Sequence, residues 1–162
     1  MTTPPPAAQT AGQATRYANF GWRLLAFILD AIVAGIVGAL IGGMLGAMSY
    51  LVGVVTGADD NVVSDVIDLL GILAGTVAGW LYEALLVSSS YQATLGKMAV
   101  GIVVTDLQGR RISFLRATGR YFGKIVSGMT LMIGYLIQPF TPKRQALHDI
   151  MAGCLVLRKV PR

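Results

Sequence analysis

The sequence predicts an α-helical integral membrane protein with two transmembrane helices, a third apolar segment and a small cytoplasmic antiparallel β-sheet. Of its 162 residues, 54% are hydrophobic and only 13% are charged, whereas about a quarter of the residues of a soluble domain are charged. Residues 24–55 contain one charged side chain, Asp30, and exceed the roughly 20 residues that span a hydrocarbon core. The polar insert at residues 92–114 instead has the alternation of a β-hairpin.

The first half of the chain predicts a tail and a pair of membrane helices. Residues 1–15 are rich in Pro, Thr, Ala and Gln without apolar periodicity, which predicts a disordered tail before a membrane domain of residues 16–162. We expect helices over about residues 21–50 and 62–87. The link TGADDN carries acids and no Lys or Arg, whereas basic residues lie near the opposite helix ends. The positive-inside rule therefore predicts a multi-pass inner-membrane protein with a cytoplasmic N-terminus.

The polar insert and the chain end are predicted to pair. GIVVTDLQGRRIS, within residues 99–113, alternates β-branched residues around an Asp-Leu-Gln-Gly turn. CLVLRK, within the C-terminal segment of about residues 143–160, also has strand character. Because an isolated hairpin is marginal in water, we expect the tail to add a third strand. That pairing requires both segments to be cytoplasmic.

The third apolar segment, within about residues 114–140, admits two topologies. It is barely long enough to span, contains Gly and Pro, and has basic clusters at both ends. A helix that starts in the interface, dips into the bilayer and returns is favoured, and a simple third span is the alternative. Arg116, Arg120 and Lys124 recur every four residues and share one helix face. They predict a stripe facing lipid headgroups, with substrate steering as the alternative.

Small residues recur every four positions in both predicted membrane helices. This spacing permits close approach between membrane helices, so the two are expected to pack groove to groove. The two series are Ala34, Gly38, Gly42 and Gly46 in the first helix, and Gly71, Gly75 and Gly79 in the second.

Two acidic residues are expected inside the membrane at similar depth. A carboxylate in lipid costs on the order of 3 kcal/mol or more, so Asp30 and Glu83 should face inward and find a partner. One interpretation is a proton or cation site. The other is a structural ion pair with Arg23, which shares a helix face with Asp30 about 10 Å away.

Other function classes have little support. The net charge of +5 is explained by basic residues beside apolar segments, where anionic headgroups lie, so no nucleic acid is expected. The single cysteine, Cys154, forms no intramolecular disulfide or metal motif. His148 and Asp149 are adjacent and point about 100° apart on a helix, which does not favour a catalytic pair. No phosphate loop, nucleophile elbow or metal-ligand spacing is present, so we expect no catalytic residues, no cofactor and no metal.

Three ordered motifs carry a family resemblance. YANFGWRLLAFILDAIV, QATLGKMAVGIVVTDLQGRRISFLRATGRYFGKIVS and KRQALHDIMAG together resemble the RDD family of bacterial membrane proteins, named for one arginine and two aspartates. The resemblance implies that these residues are Arg23, Asp30 and Asp149, and that Thr94, Gly96 and Lys97 form the family's Thr-x-Gly-Lys element. Val87 stands where many members carry an acid, which leaves a family role for Glu83 unsupported.

The resemblance implies a transport-related role, with cation or proton exchange suggested for some members. It also suggests that Arg23 holds Asp149 and so latches the cytoplasmic tail under the first helix. One hypothesis is a transporter or transporter subunit that handles a cation or proton at Asp30, which would require a homo-oligomer or a membrane partner. The alternative is a non-transporting accessory or assembly protein with structural charges. Secondary site candidates are Glu83, Lys97, Arg116, Arg120 and His148.

Overall fold

The computed structural model describes residues 17–57, 60–130 and 133–159. Its first two helices, α1 (Phe20–Thr56) and α2 (Asp60–Ser88), are long and apolar enough to span a membrane. Both run beyond the predicted bounds at each end. The predicted tail at residues 1–15 lies outside the described residues.

The ends of α1 have clear local causes. Asn19 caps the first turn, since its side chain accepts a hydrogen bond from the Trp22 N–H at 3.0 Å. The helix stops before Gly57, which has a φ of 62° and donates its N–H to the Gly53 carbonyl. Glycine adopts this left-handed conformation without a Cβ penalty, so it ends the helix.

The remainder of the chain forms a polar cap, defined here as residues 89–130 and 133–159. Its elements are short except for one amphipathic helix, α4. In chain order they are α3 (Leu95–Ala99), β1 (Ile102–Asp106), α4 (Phe114–Met129), α5 (Ile133–Leu136), a 3-10 turn (Gln138–Phe140), α6 (Leu147–Met151) and β2 (Cys154–Arg158).

The sheet of the cap has two strands rather than three. Strands β1 and β2 pair antiparallel, with Ile102 opposite Arg158 and Asp106 opposite Cys154, so the predicted pairing of the insert with the tail is confirmed. The second arm of the predicted hairpin is wrong: residues 107–113 form a turn and an irregular segment. A longer second arm would need the Val104 N–H, which donates instead to the Gln92 carbonyl at 2.7 Å.

The third apolar segment is broken rather than continuous. Helix α4 ends at Met129, and α5 folds back against it so closely that a Cβ on Gly134 would lie 2.8 Å from Ser127. A single spanning helix over residues 114–140 is therefore absent from the described part of this segment. The re-entrant placement stays a prediction.

The core lies beneath the cytoplasmic ends predicted for α1 and α2, not between them along their length. Buried residues of α1 and α2 contact both strands and α4, whereas most of the apolar side chains of α1 beyond Val33 are exposed. The core residues are Ala18, Ala26, Ala84, Val87, Ile102, Val104, Ile112, Ala117, Cys154 and Val156. The exposed apolar lengths of both helices have the character of surfaces for lipid.

The prediction that the glycine faces pack groove to groove is wrong. Among the described residues, a Cβ added at Gly38, Gly42 or Gly46 would contact no part of another helix within 4 Å. Gly71 instead faces the Leu45 side chain at 3.4 Å. Spacing by four showed that the residues share a face, but not which neighbour that face would meet.

Candidate functional site

Asp30 lies ten residues into α1 and binds the cap. Its carboxylate accepts hydrogen bonds from Thr94 Oγ1 at 2.5 Å, the Gly96 N–H at 2.7 Å and the Tyr82 hydroxyl at 3.1 Å. Thr94 is the N-cap residue of α3, yet its own side chain makes no capping hydrogen bond. Asp30 supplies that acceptor from another helix, so it docks α3 onto α1.

Gly96 allows this contact because it has no side chain. A Cβ at Gly96 would lie 2.3 Å from the Ala26 carbonyl oxygen and 2.8 Å from the backbone nitrogen and Cγ of Asp30. Backbone atoms within a helix cannot move aside cheaply. The Thr-x-Gly-Lys element is therefore a docking motif in this fold, with Thr94 as donor and Gly96 as the point of close approach.

Arg23 and Asp149 form the predicted ion pair. Arg23 Nη1 contacts Asp149 Oδ2, and Arg23 Nη2 donates to the Arg144 carbonyl at 2.8 Å. Asp149 is completely buried and also accepts from Arg120 Nε at 2.8 Å and the Ala146 N–H at 3.2 Å. Although burial raises it, the two guanidinium groups of Arg120 and Arg23 hold the pKa of Asp149 well below its ordinary value.

Glu83 is the second centre of the network. Its Oε1 accepts from Arg120 Nη1 at 3.0 Å and from Lys97 Nζ at 3.4 Å, and both carboxylate oxygens contact Lys124 Nζ. Arg120 bridges Glu83 to Asp149 and so joins α2, α4 and α6. Burial, only partly opposed by Glu83, lowers the pKa of Lys97 to about 8.

The structure separates residues that the sequence grouped together. Asp30 makes no ion pair with Arg23 among the described residues, and Glu83 belongs to the basic cluster rather than to a shared site with Asp30. Arg120 is buried, so its predicted place in a lipid-facing stripe is wrong. Arg116 is exposed and Lys124 is partly exposed.

Tyr82 was missed by sequence reasoning. It links Asp30 to the Leu95 N–H, from which its hydroxyl accepts at 3.0 Å. Its neighbour Glu83 is a site candidate because a charged residue inside a membrane helix is costly. A tyrosine near the end of such a helix is common at the membrane interface and does not indicate a site. The position of Tyr82 in the sequence does not predict its hydrogen bonds to Asp30 and Leu95.

His148 touches a serine and an aspartate without forming a catalytic arrangement. Its Nδ1 lies 3.3 Å from Ser127 Oγ and its Nε2 lies 3.6 Å from Asp149 Oδ1. Ser127 is completely buried and donates its hydroxyl to the Gly123 carbonyl. Burial and the Arg120 guanidinium lower the pKa of His148 to about 3, so the ring is neutral at pH 7.

No metal centre is apparent in residues 17–57, 60–130 and 133–159. The acidic, histidine and cysteine side chains of these segments form no group of three arranged to hold an ion. Asp149 and Glu83 are instead occupied by arginine and lysine.

Comparisons with known proteins identify the family of this chain. A 79-residue stretch, 49% of the chain, is 42% identical to the uncharacterized protein YxaI of Bacillus subtilis (strain 168) and spans 52% of its length. No solved structure matches. The family model described as "RDD family" matches residues 17–153, which include Arg23, Asp30 and Asp149. Because this match covers most of the chain, the protein belongs to the RDD family.

Proposed function

We propose that this protein is a non-transporting membrane accessory or assembly protein in which the arginine and two aspartates of the family hold a polar cap onto two membrane helices. The main support for this proposal is the set of hydrogen bonds that the Asp30 carboxylate accepts. Both of its carboxylate oxygens accept hydrogen bonds, from Tyr82, Thr94 and Gly96. A cation or proton at Asp30 would compete with the hydrogen bonds that hold α3.

The Arg23 and Asp149 pair supports the same function. It joins the beginning of α1 to α6, and Arg120 extends the connection to α4. Removing one member of a buried pair leaves an uncompensated charge. These charges are therefore suited to fixing the position of the cap, which in turn presents a defined surface to a protein partner.

Charge distribution supports a cytoplasmic cap in an inner membrane. Exposed basic residues of the cap include Arg110, Arg111, Arg116, Lys143 and Arg144, whereas exposed Asp65 and Asp68 lie near the opposite end of α2. Under the positive-inside rule the cap faces the cytoplasm, and its basic surface lies where anionic headgroups are available.

Transport by a homo-oligomer is the second candidate. The small-residue face of α1 supports it, because Gly38, Gly42 and Gly46 have open space beside them and would admit a second helix closely. Two spanning helices do not enclose a pathway alone, so assembly of several copies would have to provide one.

A flux assay with a structural readout separates the two functions. Purified protein is reconstituted into liposomes and tested for H⁺, Na⁺ and K⁺ flux, with empty liposomes as the baseline. The Asp30→Asn variant is compared with Asp68→Asn, which removes an exposed acid of α2. Hydrogen exchange over residues 94–99 reports whether α3 stays docked.

The accessory proposal predicts no flux above baseline and faster exchange over residues 94–99 in Asp30→Asn alone. The rate of exchange should rise because the substituted amide is a weaker acceptor than a carboxylate. Cation flux by the wild-type protein would overturn the proposal. Loss of that flux in Asp30→Asn with unchanged exchange would assign transport to Asp30.

A further inference from the structure

Positive charge is in excess in the buried network. Its ion pairs connect four cationic side chains to two carboxylates: Arg23, Lys97, Arg120 and Lys124 to Glu83 and Asp149. Asp30 lies near enough to Lys97 to interact with it electrostatically. When Asp30 is counted as a third carboxylate, one positive charge is still uncompensated.

The excess lies at Glu83 rather than at Asp149. The Glu83 carboxylate meets three cations, whereas Asp149 meets two arginines and a backbone N–H. An ammonium group has three donors. In the described segments the Lys97 ammonium has one hydrogen-bond partner, Glu83, at the long distance of 3.4 Å. Unused donors and surplus charge therefore coincide at Lys97.

The cluster is buried enough to strengthen charge interactions and is open on one side. The side chains of Arg120, Lys97 and Glu83 are 4%, 11% and 11% exposed, whereas that of Lys124 is 26% exposed. Coulomb attraction grows as water is excluded. An anion from solvent would therefore meet the Lys124 ammonium first.

We propose that Lys97 and Lys124, held side by side on Glu83, form a binding site for a phosphate monoanion. Both ammonium nitrogens contact the same Glu83 oxygen, so one tetrahedral oxyanion has enough acceptor atoms to bridge them. Lysine binds phosphate as a point charge and does not require the planar fork of arginine. A single negative charge matches the surplus that remains after Asp30 is counted.

The phosphate has two chemical sources, a lipid phosphodiester or free inorganic phosphate. The cluster joins the end of α2 to the amphipathic helix α4, so a lipid headgroup would reach it from the membrane interface. Free phosphate would reach it from water. The site requires no particular assignment of transport or accessory function.

The test uses the full-length protein in a non-ionic detergent and two probes. Binding of sodium phosphate and of short-chain phosphatidylglycerol is measured separately by titration calorimetry, with sodium chloride at equal ionic strength as the reference. Lys97→Met and Lys124→Met each remove one ammonium group. Arg111→Met, an exposed cation outside the cluster, controls for general surface charge. Lys124→Gln is the second variant if a methionine variant does not fold.

At least one probe should bind saturably, with affinity at least tenfold weaker in the lysine variants and within twofold of wild type in Arg111→Met. Binding of inorganic phosphate identifies a free-anion site, whereas binding of the lipid alone identifies a headgroup site. Absence of saturable binding by both probes would overturn the proposal. Equal weakening in the lysine and Arg111 variants would also overturn it, since general surface charge would then account for the binding.

Discussion

Asp30 and Gly96 show how two single positions set the geometry of the molecule. One provides the acceptor for the first turn of α3, and the other provides the space that lets α3 reach it. A charged residue ten positions into a membrane helix is a functional candidate by default. Its hydrogen bonds to Thr94 and Gly96 dock α3 onto α1.

Gly96→Ala should destabilise the protein. The added Cβ would fall 2.3 Å from the Ala26 carbonyl oxygen, and overpacking of this kind costs on the order of 1 to 3 kcal/mol. Denaturation in detergent measures the change. The matched control is Gly119→Ala in α4, where a Cβ meets nothing within 4 Å and helix propensity favours alanine. Equal stability of the two variants would show that α3 does not pack this closely on α1.

His148 should make the protein less stable as the pH falls from about 6.5 to 5. It is the only histidine of the chain, and burial, with Arg120 and the more distant Lys124 and Arg23, lowers its pKa from 6.5 to about 3, against the opposing charge of Asp149. The unfolded chain therefore binds one more proton below pH 6.5. Linkage gives a loss of roughly 2 kcal/mol by pH 5.

Unfolding free energies measured between pH 7 and 5 test this prediction. His148→Gln removes the titrating group, so its stability should be nearly independent of pH over that interval. Asp149 has a lowered pKa, and its contribution is lost only as the pH falls below the ordinary range of an aspartate. A wild-type slope identical to that of His148→Gln would mean that the pKa of His148 is the same in the folded and unfolded states, as for a freely exposed ring.

At the level of helices and strands, one charged network connects elements that are far apart in sequence. The buried carboxylate of Asp149 in α6 contacts both Arg23 in α1 and Arg120 in α4. Strand β2, which follows α6, pairs with β1. Residues 147–158 are thus held by an ion pair in α6 and by backbone hydrogen bonds in β2. The ion pair attaches α6 to the beginning of α1, and the strand pairing attaches β2 to β1.

A double-mutant cycle should detect the attachment between α1 and α6. Arg23→Ala and Asp149→Ala should each cost up to roughly 3 to 5 kcal/mol, because each leaves a buried partner unpaired. The double variant should cost less than the sum of the two. Thermal or chemical denaturation of the four proteins supplies the coupling energy.

Arg23→Ala combined with Asp30→Ala is the control cycle. No ion pair joins Arg23 to Asp30 in the described residues, so their effects should add within about 0.5 kcal/mol. Coupling between Arg23 and Asp30 without coupling between Arg23 and Asp149 would place the arginine in an intramembrane site instead.

For the molecule as a whole, a cytoplasmic cap is expected on one side of the membrane and the α1 to α2 junction on the other. Lys159 is exposed beside β2, and the only native cysteine, Cys154, is buried. A cysteine replacing Lys159 in a Cys154→Ala background should therefore react with an impermeant thiol reagent only in inverted vesicles, not in intact cells. A cysteine at Asn61 should show the opposite pattern. Labelling of the Lys159 position from outside intact cells would contradict the topology.

Patterns along the chain determined the parts of this structure that depend on local composition. Long apolar runs predicted α1 and α2, and β-branched alternation predicted that the insert and the tail would pair. The Arg23 to Asp149 pair was expected from the resemblance and from placing both residues at the same end of the helices. The disordered N-terminal tail predicted for residues 1–15 lies outside the residues that the structure describes.

Contacts between distant segments were decided only by the tertiary structure. Arg120 recurs at the same four-residue spacing as Arg116 and Lys124. Helix α6, however, packs on α4 at Arg120, where the guanidinium is buried against the carboxylates of Glu83 and Asp149. The second hairpin arm is replaced by the approach to α4, and Asp30 meets Thr94 across 64 positions of sequence. Periodicity states which residues share a face of an element. Which face is covered, and by which partner, depends on how the elements pack, because burial and charge pairing act across space rather than along the chain.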